Sequence, residues 1–306
     1  MAKLETRSKR GAVEAAPATR GPERSLIFKG ITRGETDGHA RRELVFGKSE
    51  QPLQPGTGLL SVIGADERKR IRDTEASPFR MVCALRIKAP WGDFVGTGWF
   101  AGPRTIVTAG HCVVDRANMG GWADRIVVTP AQDGDEPPAL GTYTATRFST
   151  VDRWEDARDP DFDIGAIHLD EPVGETVGWF GVGALTDDAL LKSLVNVSGY
   201  PASPGGGVQQ WWAKNRIGAV TPRRIFYDVD TSGGQSGGPV YIYERESMAD
   251  PIVVGIHAYG VGGTPNEIKL EVNSAPRIIP EVVEQIRNWV EADEPAPATA
   301  SSSGSG

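Results

Sequence analysis

The sequence predicts an all-β protein, a barrel or sandwich of short strands followed by one C-terminal helix. Two observations carry this expectation. The 306 residues include 38 glycines and 22 prolines, with only short apolar runs between them, which favours many strands and turns over long helices. Those runs recur at close spacing, separated by Gly, Pro and Asp, as in sandwiches and barrels.

Residues 1–60 read as a separate leader. Two apolar pieces, Leu26-Ile27-Phe28 and Leu44-Val45-Phe46, sit among scattered glycine, arginine and glutamate, and Gln51-Pro-Leu-Gln-Pro-Gly-Thr-Gly58 has the composition of a flexible connector. Such a leader is either a poorly ordered tail or a propeptide. From Ser61 the texture changes. Strand composition is found over residues 81–87, 93–100, 104–109, 125–129, 143–148 and 164–169. It continues over 194–198, 209–213, 217–220, 225–229, 240–243 and 252–257. A helix is expected from Pro280 to Ala292, with proline in its first turn and Val283, Ile286 and Val290 at helical spacing. Residues 294–306, rich in Ala, Ser and Pro, read as a disordered tail, which leaves 61–293 as the folded domain.

Composition removes several function classes. The net charge of −7, from 33 basic and 40 acidic residues, does not fit a broad nucleic-acid footprint. No apolar run approaches the roughly 20 residues that span a bilayer. Residues 1–20 are basic and polar, without the apolar core of a secretory signal peptide. Two cysteines, Cys83 and Cys112, make neither a disulfide framework nor a thiolate zinc site. They read as free buried thiols, with a single bridge as the alternative.

Chemistry concentrates in Asp230-Thr-Ser-Gly-Gly-Gln-Ser236-Gly-Gly-Pro239. A serine becomes a nucleophile only beside a base, and the oxyanion it creates needs donors. Flanking glycines let the backbone bend and turn its N–H groups toward a carbonyl. Taken alone, the stretch is equally a glycine-rich turn, and Gly234-x-Ser236-x-Gly238 also matches a nucleophile elbow.

The remaining residues decide between these. Of four histidines, His111 closes an apolar strand in Thr108-Ala-Gly-His-Cys112. His168 reads as a surface or packing residue, and His39 lies in the leader. Asp163 is flanked by Phe162 and Ile164, where a carboxylate is costly unless paired, and a histidine N–H is a suitable partner. Asp161 is the second choice. An elbow fold places its serine first, and the 21 residues from Ser236 to His257 are too few for its intervening elements.

His111, Asp163 and Ser236 occur in the chymotrypsin order, and their three blocks resemble those of the chymotrypsin-like serine proteases. The likeness is greater to the bacterial glutamyl endopeptidase branch, through Ser61-Val-Ile-Gly64, Gly96-Thr-Gly-Trp99, Gly199-Tyr-Pro201, Asp230-Thr231, Gly255-Ile-His257 and Asn273-Ser-Ala-Pro-Arg-Ile278. It covers about three quarters of the chain.

The resemblance implies two six-stranded antiparallel β-barrels of trypsin-like form, with the cleft between them and a C-terminal helix. It implies a serine endopeptidase working through an acyl-enzyme. Ser236 would be the nucleophile, His111 the base, Asp163 its orienting partner, and the N–H groups of Gly234 and Ser236 the oxyanion hole. Each such donor is typically worth about 3 kcal/mol.

The branch implies that Thr231 and His257 bind a Glu (or Asp) side chain at P1, His257 adding charge if protonated. A free α-amine at Ser61 would assist after removal of residues 1–60, as in a zymogen. Two readings compete. Asp230, six residues before Ser236, stands where trypsin-like enzymes bind Arg or Lys. Alternatively, the chain is a silent homologue that only binds.

No metal or organic cofactor is implied, and the expected partners are protein or peptide substrates met by a monomer, with no nucleic acid and no membrane. Secretion is expected from the family, although no signal peptide is visible. Relatives often bridge the cysteine beside the histidine to the preceding strand, which here, at residues 93–100, has no cysteine.

Overall fold

A computed structural model describes residue 4 and residues 6–8, 27–28, 46–47, 60–61, 66–244, 247–260 and 272–294. The connector at 51–58 and the tail from 295 lie outside the described residues.

The first sheet is wholly antiparallel. Inside an edge strand from the leader, Thr6–Ser8, its order is Arg147–Val151, Gly165–His168, Thr105–Thr108, Gly92–Phe100, Val82–Ala89, Arg125–Pro130, Tyr143–Ala145. The two ends of this path are consecutive in the chain, with only Thr146 between them. The sheet therefore returns on itself through a bent strand, not through an added ladder of hydrogen bonds. Counting that strand once gives the six expected. Its interior holds Leu85, Trp99, Phe100, Ile106, Ile126 and Phe148, each at most 1% exposed, and burial of such side chains contributes roughly 1.5–3 kcal/mol each.

The second set comprises Leu194–Gly199, Trp211–Val220, Arg224–Tyr227, Pro239–Glu244, Ser247–Ile256 and Asn273–Pro276. Bridges Gly255↔Arg277 and Tyr259↔Ser274 bring the ends of Ser247–Ile256 and Asn273–Pro276 together, as does Ile278 N–H donating to Val254 at 2.9 Å. Gly181–Gly183 adds a parallel edge to Ser247–Ile256.

Three expectations change. The runs at 209–213 and 217–220 belong to one strand, Trp211–Val220, with a register shift between Ile217 and Ala219. Lys214, Asn215 and Arg216 interrupt the apolar run without interrupting the backbone pairing to Leu194–Gly199. Asn273–Pro276 is a strand without strand-forming residues; its pairing with Arg224–Tyr227 defines it. Composition points to a leader standing apart, yet its described residues lie on sheet edges. Thr6–Ser8 pairs with Arg147–Val151, Ile27–Phe28 with Gly181–Gly183, Phe46–Gly47 with Lys69–Ile71, and Leu60–Ser61 with Thr231–Ser232.

The helix Pro280–Ala292 forms where expected and buries Val282, Val283, Ile286, Trp289 and Val290. Just beyond it, Asp293 accepts from His168 Nδ1 at 2.7 Å and from the Thr105 hydroxyl at 2.6 Å. His168 Nε2 meets the Ser149 hydroxyl at 2.8 Å. His168 is therefore a packing residue that ties the helix end to the first barrel. Among the described residues no helix is long and apolar enough to cross a membrane.

Candidate active site

Asp163 follows the turn Pro160–Phe162, whose N-cap Asp159 accepts from Asp161 N–H. Phe162 and Ile164 are buried on either side and draw Asp163 inside, where it is fully enclosed, while Asp161 stays half-exposed. A carboxylate so placed needs partners, and His111 supplies two. Asp163 Oδ1 accepts from the His111 backbone N–H and Oδ2 from Nδ1, both at 2.8 Å. This double grip sets the ring plane and leaves Nε2 as the nitrogen with a lone pair.

His111 lies in the short helical turn Gly110–Val113, directly after strand Thr105–Thr108. The turn is packed tightly: a Cβ on Gly110 would meet the Trp154 ring at 2.6 Å. Packing alone would lower the imidazole pKa. The Asp163 charge and hydrogen bond, with a contribution from the Cys112 sulfur, outweigh it and raise the pKa well above 6.5. Tyr259 faces the same pair from the second barrel. Its ring centroid is 6.5 Å from that of His111. Burial and then the Asp163 charge push the Tyr259 phenol far above its ordinary pKa.

Ser236 is half-buried in a loop fixed at every neighbouring residue. Its carbonyl accepts from Thr97 N–H at 2.8 Å, Gly237 N–H donates to His257 at 2.7 Å, and Gly238 N–H donates to Gln235 at 2.9 Å. Gly234 adopts φ +95°, open to glycine, and a Cβ there would stand 2.6 Å from the Tyr200 carbonyl oxygen. The Gly233 carbonyl accepts from Ala202 N–H at 2.7 Å and the Gln235 carbonyl is held by Gly238. In a trans peptide the N–H points opposite to the carbonyl. The N–H groups of Gly234 and Ser236 are thereby turned away from those partners.

Thr231 is fully buried, and its hydroxyl has no hydrogen-bond partner among the described residues. Its backbone pairs with Ser61. His257 is also buried, with Nδ1 2.7 Å from the Tyr227 hydroxyl. Burial, and secondarily the charge on His111, lowers its pKa to about 3. The buried ring is therefore neutral. Asp230 Oδ2 accepts from Glu67 N–H at 2.7 Å. Nearby, Arg68 is bound by Asp66 and donates to the Ser232 hydroxyl at 2.8 Å. Asp230 thus anchors the chain that follows the leader.

Cys83 and Cys112 are both free and buried. Sequence reasoning did not single out Tyr227, Tyr259 or the Thr97 hydroxyl, which donates to Gly234 at 2.8 Å. Tyr227 and Thr97 read as ordinary strand composition, Tyr259 lies just past the expected strand 252–257, and no local signal marks any of them as functional.

The family described as "Trypsin-like peptidase domain" matches residues 96–248. The chain is 34% identical to a glutamyl endopeptidase of Bacillus licheniformis, over 79% of this chain and 73% of that protein. It is 33% identical to a Bacillus subtilis protein named extracellular metalloprotease, over 83% of this chain and 78% of that one. Among the described residues no three of His, Cys, Asp and Glu are grouped so as to hold a metal ion. A solved glutamyl endopeptidase, crystallised with a small diol, superposes with a TM-score of 0.63 at 24% identity, covering 76% of this chain and 99% of that one.

Proposed function

Because the chain belongs to the trypsin-like peptidase family and is a serine endopeptidase, we propose that Ser236, His111 and Asp163 are its catalytic triad and that it cleaves after acidic residues. In this reading residues 61–293 are the protease domain. Ser236 Oγ attacks the scissile carbonyl as His111 Nε2 takes its proton, while Asp163 holds the imidazolium that forms. The oxyanion is received by the N–H groups of Gly234 and Ser236. His111 then gives the proton to the leaving amine, and water repeats the sequence on the acyl-enzyme. The observation that supports this most is the pair of 2.8 Å bonds from Asp163 to His111.

For specificity, the support is a buried Thr231 hydroxyl without a hydrogen-bond partner among the described residues, together with a buried, neutral His257. A buried polar atom left unpaired is costly, and a substrate carboxylate would relieve it. The relatives named glutamyl endopeptidases favour the same P1 residue. Asp230, committed to Glu67, does not favour Arg or Lys.

The Ser61–Thr231 pairing supports the leader as a propeptide, since a cut before Ser61 would create an α-amine beside the pocket. The substrates are protein or peptide chains, and the net charge of −7 disfavours polyanionic partners. The test is a panel of peptides differing only at P1 (Glu, Asp, Gln, Arg, Lys, Phe). Fastest turnover with Glu is expected; fastest turnover with Arg or Phe would sink the assignment.

A further inference from the structure

Tyr227 closes the strand Arg224–Tyr227 and is fully buried. Its hydroxyl lies 2.7 Å from His257 Nδ1, with the two rings inclined at 49°. His257 is clamped along its backbone as well, donating to the Gly238 carbonyl at 2.9 Å and accepting from Gly237 N–H at 2.7 Å. Ring and main chain are thus both fixed one step from the nucleophile loop.

A neutral imidazole carries one hydrogen, on Nδ1 or on Nε2. Burial first, and then the charge on His111, keeps this ring neutral. Burial also holds the Tyr227 phenol well above its ordinary pKa, so its hydrogen stays in place. Among the described residues Nδ1 of His257 is the one partner recorded for that hydroxyl. A buried O–H that failed to donate would be left unsatisfied. Tyr227 therefore donates to Nδ1, and the imidazole hydrogen resides on Nε2.

We propose that Tyr227 is a positioning residue for specificity, holding His257 as the Nε2–H tautomer so that a neutral N–H donor, not a cation, receives the P1 carboxylate beside the Thr231 hydroxyl. This rests on the acidic-P1 reading and extends it. Two neutral donors then read the shape and acceptor character of the side chain. A carboxylate offers only acceptors, so a donor fixed on His257 matches it, whereas the Nδ1–H tautomer would aim a lone pair at it.

The decisive measurement is a long-range ¹H–¹⁵N correlation of the imidazoles in the full chain, with His257 assigned from the resonance lost in His257→Gln. The expected result is a hydrogen on Nε2 and a bare Nδ1, unchanged from pH 5 to pH 8, values spanning the ordinary imidazole range. A hydrogen on Nδ1 would overturn the proposal. In Tyr227→Phe the tautomers should mix, and kcat/KM for a Glu-P1 peptide should fall about tenfold, mainly through KM. A parallel fall for Phe at P1 would mark Tyr227 as merely structural and also overturn it. The P1 panel on the unaltered chain reads the acidic preference by itself, so failure of that reading is told apart from failure of the tautomer.

Discussion

A methyl group added to Gly237 would stand 2.1 Å from the Thr108 hydroxyl oxygen. The same methyl would lie 2.1 Å from the Thr97 carbonyl oxygen and 2.9 Å from Ala109 N. Gly237 follows Ser236, and Thr108 and Ala109 lead into His111. One residue without a side chain thus lets the loop of one barrel seat against the loop of the other. Two of the three atoms in the way are backbone, and Gly237 sits at φ +87°, so the clash has no cheap relief.

Gly237→Ala should therefore displace Ser236 from His111. A shift on the order of 1 Å costs roughly 100-fold in rate. The expected outcome is a fall of that size in kcat together with a lowered Tm. Gly233→Ala is the control for stability, because its Cβ would meet nothing within 4 Å. Its stability should change by no more than about 0.5 kcal/mol. Equal behaviour of the two variants would remove the argument.

Ser236→Ala should lower kcat by about 10⁶-fold, the scale seen when a triad nucleophile is deleted. Circular dichroism and Tm should be preserved, since the loop is held by backbone hydrogen bonds through Thr97, His257 and Gln235. Labelling by a fluorophosphonate should vanish. Turnover surviving at the original rate would place the nucleophile elsewhere, and absence of labelling in the unaltered chain would favour a silent homologue.

The raised pKa of His111 sets the pH dependence. Catalysis needs the neutral ring, so the acidic limb of kcat/KM should lie above pH 6.5 and activity should be lost as pH falls through it. Asp163→Asn removes the charge that raises the pKa. The limb should then move to lower pH, with kcat about 10⁴-fold down. Stability follows the opposite course. A group whose folded pKa is raised contributes fully below its unfolded value, and the contribution is lost as pH rises through the folded one. Chemical denaturation on either side of that range should show this slope in the parent and not in Asp163→Asn.

The proposed triad could be picked out in sequence because its members break a local pattern. Asp163 is a carboxylate inside an apolar strand context, and Ser236 sits where four glycines free the backbone. The all-β class was legible from strand spacing, and the two barrels from the resemblance alone. Their closure was not. The first depends on Thr146 bending a single strand, and the second on bridges from residues such as Gly255 and Tyr259 whose partners are distant in the chain. The charge state of His257 was not legible for the same reason. Its pKa follows from burial and from His111, neither of which is visible from its sequence neighbours. Tyr227 looks like any strand tyrosine until its hydroxyl is placed at Nδ1.

Asp230→Ala tests the trypsin-like alternative. With its carboxylate engaged by Glu67 N–H, the variant should lose stability by about 1–3 kcal/mol as a part-buried donor loses its acceptor. Cleavage after Arg should be negligible before and after the change. Rapid Arg cleavage that disappears in the variant would restore the basic-P1 reading.

Ser61 is already paired with Thr231 in the uncut chain, so its nitrogen is a neutral amide beside the proposed pocket. Cutting before Ser61 turns that amide into an amine with an ordinary pKa of about 7.7–8.0. A positive charge then appears where two neutral donors face the substrate carboxylate, and charge-assisted bonds are roughly twice as strong as neutral ones. Removal of residues 1–60 should raise kcat/KM for Glu at P1 by about tenfold or more, with little gain for Phe. The gain should fade as pH rises through the amine's pKa. N-terminal sequencing of active protein fixes the cut. Full activity in the uncut chain, or a mature terminus far from Ser61, would show that the leader has another role.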